Sequence, residues 1–354
     1  MKKRKRLRVE FGMDAMVVVG DFVWGSLAAT NALVKVNIHT GEMEMIASFP
    51  EENIDEKCLH SDVFFYNDIL IFVPYQAKNI LLYNISTMQF DVIKLRPEFR
   101  DIEYKFQHGA QYNGKLYLFP CKAPVIIKME LDSLNLEYLY EPIKKINEID
   151  PRAAGNHYFD CLVHENEYIY AGCGGKSNDI LKYSLQNDTF ELISSEISIN
   201  GIGLGFCNKD CTIVASYMEP RAFLKIKGCI YQEVEGLQGL LLYHAILYEN
   251  NMYLFGFHYS TTNTIQKFDL EEKKLYKIGE VHEGIHKAVF SNGRIYAVDG
   301  ISSAIYEINV EDDSVKKREL FIGNEKLESV CKENEKKVYY EPEISLDEFL
   351  NEVI

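Results

Sequence analysis

Short apolar strands separated by polar turns recur along the whole chain. Residues 113–131 read NGKLYLFPCKAPVIIKMEL, and residues 292–310 read NGRIYAVDGISSAIYEINV, which is a closely similar phrase. Both contain a tight turn, an apolar-aromatic strand, a loop and a second strand of alternating polarity, a period of two that is typical of half-buried β-strands. Helical periodicity is nearly absent before SLDEFLNEVI at the C-terminus. The pattern therefore predicts an all-β fold.

The same unit returns roughly every 45 residues, which is the spacing of propeller blades. Each unit holds four short strands, and its first turn is Asn-Gly or a similar pair, because a two-residue hairpin needs positive φ at both central positions. The pattern predicts a β-propeller of four-stranded antiparallel blades with eight registers, seven complete and an eighth partial; a seven-bladed ring is the close alternative. The equivalent positions in the first strands are Ala15, Asp62, His108, Cys161, Gly203, His244, Lys287 and Val330.

One unit carries a recognisable family feature. Residues 169–193, IYAGCGGKSNDILKYSLQNDTFELI, contain the pair Gly174-Gly175 followed by a strand, a turn and a strand. This unit, together with the repeat along the whole chain, resembles the kelch-like bacterial β-propellers. The resemblance implies a propeller fold, which can serve binding, scaffolding or enzymatic functions.

The repeat also predicts how the chain is organised. We expect one propeller domain over residues 1–354, in which residues 1–12 supply a strand that closes the ring. Residues 345–354 are expected to form a short helix, with Ser345 as the N-cap and Glu348 three positions later.

Composition narrows the environment and the partners. The formal charge of -15 argues against nucleic acid, because phosphate binding needs a basic surface. The basic start is interrupted by Glu10 and Asp14 before any apolar run of signal-peptide length, and no stretch is apolar enough for a membrane span. We expect a cytoplasmic monomer with no membrane contact, whose eight scattered cysteines are reduced.

The first strands of all blades begin at one face, close to the axis, and the loops between second and third strands emerge there too. Residues that are distant in the sequence should therefore meet at this face, which we call the top face. Five of the nine histidines occupy the start of a first strand. The candidate ligand-binding residues are His60, Asp62, Gln107, His108, Lys122, His157, Asp160, Lys176, Arg221, His244, His258, Tyr259, His286 and Lys287.

Histidines and cations gathered on an acidic protein would attract an anion. We therefore predict a recognition module for an anionic small molecule, a glycan or a partner peptide, with no cofactor and no assigned metal. A lyase, epimerase or hydrolase acting on an acidic sugar is an alternative, with His108 or His244 as the base, although no catalytic motif supports it. A protein-interaction scaffold is another alternative. The same polar residues could also simply solvate a wet channel, and whether the protein is an enzyme stays open.

Overall fold

The computed structural model describes residues 6–8, 12–28, 30–53, 56–149, 162–165, 167–172, 179–194, 202–207, 212–216, 222–225, 230–233, 242–256, 264–281, 284–299 and 304–323. Within these ranges the chain is all-β, apart from two short helices. Neither of these helices is long and apolar enough to cross a membrane. The single-domain prediction, with its C-terminal helix at 345–354, stays a prediction because that helix lies outside the described residues.

The first five strands precede the first regular blade. They are β1 (Arg6–Arg8), β2 (Met13–Val19), β3 (Phe22–Leu27), β4 (Leu33–Asn37) and β5 (Glu42–Ala47). Blade I consists of β6 (His60–Tyr66), β7 (Ile69–Pro74), β8 (Ile80–Asn84) and β9 (Gln89–Ile93). After helix α1 (Pro97–Arg100), blade II consists of β10 (Phe106–Tyr112), β11 (Lys115–Pro120), β12 (Ile126–Glu130) and β13 (Leu136–Leu139).

Four further blades follow helix α2 (Glu141–Ile149). Blade III consists of β14 (Leu162–Glu165), β15 (Tyr168–Gly172), β16 (Asp179–Ser184) and β17 (Thr189–Ser194). Blade IV consists of β18 (Ile202–Cys207), β19 (Thr212–Ser216), β20 (Ala222–Lys225) and β21 (Ile230–Glu233). Blade V consists of β22 (Leu242–Tyr248), β23 (Asn251–Gly256), β24 (Thr264–Asp269) and β25 (Lys274–Glu280). Blade VI consists of β26 (Ile285–Ser291), β27 (Arg294–Asp299), β28 (Ala304–Asn309) and β29 (Val315–Glu319), and β30 (Phe321–Gly323) follows it.

The predicted number of blades is wrong. Among the described residues, six sheets are four-stranded antiparallel blades, whereas the predictions required seven complete ones. The remaining sheet has six strands in the order β1-β30-β5-β4-β3-β2, and we call it the closing sheet. The strand β30 pairs parallel with β5 and antiparallel with β1, so this strand, directly after blade VI, extends an existing sheet.

The ring of inner strands closes without an additional blade. The strand β2 of the closing sheet lies directly beside β6 of blade I and beside β26 of blade VI. An eighth sheet therefore has no place between blade VI and the closing sheet. The register position predicted at Val330 falls outside the described residues.

Burial explains why the second strand of each unit is so apolar. Every residue of β11 from Leu116 to Pro120 is buried, and β27 is equally buried from Ile295 to Asp299. Neighbouring sheets cover both faces of these strands, and the apolar core is correspondingly divided among the interfaces between sheets. Burial falls towards the outer strands, as in β29, where Val315 precedes four charged residues and none of the five is buried.

The two predicted Asn-Gly hairpin turns are confirmed. Asn113 and Gly114 have φ values of 48° and 73°, and Asn292 and Gly293 have values of 50° and 72°. Both central residues of each turn thus lie in the left-handed region, as a twisted two-residue hairpin requires.

Two blade interfaces share a polar contact that we call the staple. In blade II the hydroxyl of Tyr117 donates to the carbonyl of Leu185 at 2.7 Å, and Lys128 Nζ donates to Asp188 Oδ2 at 2.6 Å. In blade V the hydroxyl of Tyr253 donates to the carbonyl of Val310 at 3.2 Å, and Lys267 donates to Asp313. In each staple, therefore, a tyrosine of one blade donates to a backbone carbonyl in a turn of the next blade, and a lysine donates to the aspartate of that turn.

Candidate functional site

The inner strands begin with the same irregularity in six sheets. Their pairing with the second strand shifts by one residue at this point, which is a β-bulge, a feature that redirects side chains and is common beside functional sites. The shifts fall at Met13/Ala15, His60/Asp62, Phe106/His108, Ile202/Leu204, Leu242/His244 and Ile285/Lys287. The register predicted from the repeat is confirmed at Ala15, Asp62, His108, His244 and Lys287, each of which follows a bulge directly. In blade IV, Gly203 is itself the bulged residue.

Two predicted residues meet across the top face. Lys287 Nζ lies 3.7 Å from Asp62 Oδ1 and donates to the carbonyl of Ser61 at 3.1 Å. These residues belong to β26 and β6, which are separated by β2 of the closing sheet. The ring therefore brings together groups from opposite ends of the sequence, as the repeat predicted.

His60, unlike Asp62 and Lys287, lies in the protein interior. Its side chain is completely buried, packs against the rings of Phe49 and Phe72, and shares a hydrogen bond of 3.0 Å between Nδ1 and Ser26 Oγ. Burial lowers the pKa of His60 to about 3, so the ring is neutral. This imidazole offers no surface to a ligand, and its contacts join blade I to the closing sheet.

An aromatic pair with a cation lies at the top of blades I and II. The rings of Tyr75 and Tyr104 have centroids 4.9 Å apart, and Lys122 Nζ lies 4.6 Å from the centroid of Tyr104. Tyr75 follows β7 and Lys122 follows β11, so both belong to loops between second and third strands. All three side chains are partly exposed, which leaves a surface on which a ring-shaped ligand could stack.

The backbone of Tyr104 is constrained. Its φ is 54°, and Cys58, at the equivalent position before blade I, has a φ of 49°. Left-handed backbone is costly for such residues and often accompanies ligand sites. Burial and the nearby Asp14 carboxylate raise the pKa of the Cys58 thiol to about 12, so this cysteine is not an activated nucleophile.

Lys105 lies immediately after Tyr104 and is almost completely buried, with 1% of its surface exposed. Its ammonium donates to the carbonyl of Gln76 at 3.1 Å, and no described carboxylate lies within ion-pair distance. Burial lowers the pKa of Lys105 to about 8, although the more distant charges of Glu52 and Asp101 partly oppose that shift. The side chain is therefore still mostly protonated at neutral pH.

The nearest carboxylate is already bound to another lysine. Glu52 Oε2 lies 3.4 Å from Lys78 Nζ, and Glu52 Oε1 accepts a hydrogen bond of 2.7 Å from the Lys78 backbone. Burial raises the pKa of Glu52. Neither Lys105 nor Lys122 therefore has a described carboxylate within ion-pair distance, although the charges of Glu52, Asp101 and Glu103 act on Lys105 from further away.

The remaining candidates divide into three groups. Gln107 and His108 lie at the start of β10, and Gln107 Oε1 is buried with no hydrogen-bond partner in the described part of the chain. The backbones of His244 and His286 belong to β22 and β26, but their side chains lie outside the described residues. Six candidates lie wholly outside the described ranges: His157, Asp160, Lys176, Arg221, His258 and Tyr259.

Sequence reasoning missed Tyr104 and Lys105, which precede the inner strand instead of lying in it. The signal was present in EYKFQH, where a lysine is placed between two aromatic residues just before a strand. Within the described ranges, no three His, Cys, Asp or Glu side chains form a group that could hold a metal ion.

Comparison with known proteins supports the fold alone. No family model matches the chain, and no curated protein matches it. Solved structures do match: YCF48 from Cyanidioschyzon merolae has a TM-score of 0.64 and 12% identity, covering 88% of this chain and 99% of that one. The computationally designed Ika8 protein has a TM-score of 0.59 and 10% identity, covering 89% and 90% of the two chains.

A third similar structure is the extracellular domain of BT4673 from B. thetaiotaomicron. It has a TM-score of 0.59 and 12% identity over 89% of this chain, which spans 47% of that longer chain. At such identities, the likeness concerns only the fold. The architecture of this chain is that of a β-propeller, a fold consistent with binding or interaction modules.

Proposed function

We propose that the protein is a recognition module that binds a small anionic ligand on the top face, between blades I and II. The buried ammonium of Lys105 is the observation that carries this proposal. Burying a cation without a matching anion costs free energy, and a bound carboxylate would offset that cost. The charge is also poorly screened by solvent, so its field would extend to the adjacent surface of Tyr104.

The surface above Lys105 favours a ligand that has both a ring and a carboxylate. Tyr75 and Tyr104 offer ring faces, and Lys122 supplies a partly exposed ammonium beside them. Acidic sugars combine these features, and an acidic peptide is the other ligand that the chemistry would accept. Membership of the kelch-like propellers is likewise only a proposal. It rests on the sequence pattern, because no family model matches the chain.

A thermal-shift titration tests the proposal with galacturonate and its neutral counterpart galactose. Galacturonate should raise the unfolding temperature in a saturable way, because a ligand that binds only the folded state stabilises it by mass action. Galactose should have a much smaller effect. K122Q should weaken galacturonate binding by about tenfold, the loss expected for one charge-assisted hydrogen bond.

K115Q is the matched control. Lys115 lies on the same hairpin at the other end of β11, where it pairs with Glu130 at 3.3 Å. This variant should keep the full response to galacturonate. The proposal fails if neither galacturonate nor an acidic peptide shifts the wild-type protein, or if K115Q loses as much response as K122Q. A response to the peptide alone would assign a peptide ligand.

A further inference from the structure

A second polar cleft, of about 330 Å³, lies between blade VI and the closing sheet. It is on the face opposite the top face, because Arg294 begins β27 directly after the first hairpin turn. Its walls carry His39 from the turn between β4 and β5, together with Arg294, Tyr296, Glu307, Lys316 and Arg318 from blade VI.

The cleft contains more positive than negative charge. Arg294 and Arg318 each donate to a different oxygen of Glu307, the latter at 2.8 Å. Glu307 therefore accepts from only one nitrogen of each guanidinium. In addition, Arg318 Nε is buried without an acceptor among the described residues. Lys316 pairs with no described carboxylate. Among the residues that line the cleft, three cations thus face one carboxylate, and a second carboxylate, Asp21, lies behind His39 at 3.1 Å.

The position of this cleft corresponds to that of the staple at other interfaces. Tyr296 pairs across the sheet with Glu307, as Tyr117 pairs with Lys128 and Tyr253 with Lys267. Two changes remove the staple here, since Glu307 replaces the lysine and Gly41 occupies the turn position held by Asp188 or Asp313 elsewhere. All three turn residues have positive φ, which supports the equivalence.

The hydroxyl of Tyr296 has no hydrogen-bond partner among the described residues. In the staples the corresponding tyrosines donate to the next blade. The interface between blade VI and the closing sheet therefore presents hydrogen-bond donors at the place where each stapled interface holds an aspartate carboxylate.

We propose that this cleft binds a phosphate group, either free inorganic phosphate or the phosphate of a small metabolite. Guanidinium groups bind phosphate oxygens through paired hydrogen bonds, and the cations that line the cleft outnumber its one lining carboxylate. The phosphate would accept hydrogen bonds from Tyr296, Lys316 and the free donors of the arginines. The bound phosphate would thus supply the negatively charged acceptor that an aspartate carboxylate provides at the stapled interfaces.

Calorimetric titration with inorganic phosphate, in chloride buffer of matched ionic strength, tests this site. The wild-type protein should bind phosphate saturably, and K316Q should bind it about tenfold more weakly. K317Q is the matched control, because Lys317 is the next residue of β29 and directs its ammonium towards the Tyr306 ring, 6.0 Å away. It should bind phosphate as the wild type does. Both lysines are near the surface, so neither substitution threatens folding.

Three results would overturn the proposal: no saturable binding, equal losses in K316Q and K317Q, or loss of phosphate binding in K122Q. The last result would place phosphate on the top face. Salting effects of phosphate on stability are shared by all variants and do not saturate, so they cannot imitate the expected difference. A repeat with a sugar phosphate separates the two sources, since tighter binding than that of inorganic phosphate assigns a metabolite and equal or weaker binding assigns the free ion.

Discussion

At the scale of single residues, burial leaves two ionisable groups near the top face in different charge states. His60 is neutral and held by Ser26, Phe49 and Phe72, so its role is to join two sheets. Lys105 remains mostly charged at neutral pH and has a carbonyl as its described acceptor. The sequence identified His60 as a candidate and overlooked Lys105, because a periodic pattern locates residues along a strand but does not show how deeply each side chain is enclosed.

The buried imidazole should make stability depend on pH. In the unfolded chain His60 gains a proton near its usual pKa, whereas in the folded chain it stays neutral down to about 3. Its contribution to the free energy of unfolding should therefore decline as the pH falls below about 6.5, by up to about 1.4 kcal/mol per pH unit. Urea denaturation between about pH 7 and 5 should show a smaller dependence for H60Q than for the wild type.

The exposed histidine His39, whose side chain is 62% accessible, provides the control. H39Q should follow the wild-type dependence on pH. If the free energy of unfolding of H60Q depends on pH as that of the wild type does, the imidazole of His60 gains its proton normally in the folded protein. The conclusion that this side chain is buried would then be wrong.

At the scale of elements, the local pattern predicted what local forces determine. The alternation of residues and the Asn-Gly pairs identified the strands and the turn conformation, because both depend on neighbours in the sequence. The staples depend on a turn of one blade reaching a strand of the blade before it. Such contacts leave no periodic signal, since Tyr117 and Leu185 are 68 residues apart.

The two staples should differ in strength. Asp313 is the only described carboxylate paired with Lys267, whereas Lys128 would retain Glu137 at 2.7 Å if Asp188 were neutral. We expect D313N to lower the free energy of unfolding by about 1–3 kcal/mol, because it leaves a partly buried ammonium unpaired. D188N should cost distinctly less. Urea denaturation of both variants measures the difference.

D132N is a control for the loss of one acidic contact at an exposed turn. Asp132 accepts a hydrogen bond of 2.7 Å from Tyr66, in an exposed setting. Its loss should cost roughly 0.5 kcal/mol or less. Equal costs for D313N and D188N would show that pairing with lysine does not determine the strength of a staple.

At the scale of the whole molecule, the repeat predicted a propeller with a closing strand within residues 1–12, but it gave the wrong number of blades. Counting strand patterns treated the C-terminal region as the start of another blade. The structure instead adds β30 and β1 to the closing sheet, where Leu320 and Ile322 are buried in a core shared with blade VI. Whether a terminal strand extends an existing sheet or begins another depends on geometry over the whole ring, which no local pattern encodes.

The net charge of the molecule also conceals its local charges. A chain with a formal charge of -15 gathers unmatched lysines at the top face and a basic cleft on the opposite face. Asp62 and Lys287 confirm that distant parts of the chain converge at the top face. The proposed anion recognition would therefore depend on where the cations lie on the surface, which the composition of this acidic chain does not show.

The most direct test of this account is the pH dependence of galacturonate affinity, measured by calorimetry between about pH 6.5 and 9.5 for the wild type and K105M. Lys105 loses its charge as the pH rises through about 8, so the wild-type affinity should be highest below that value and fall by about tenfold above it. K105M should bind weakly at every pH and show little dependence on it. Wild-type binding that stays constant across this range, or K105M binding equal to that of the wild type, would contradict the claim that the buried ammonium attracts the ligand.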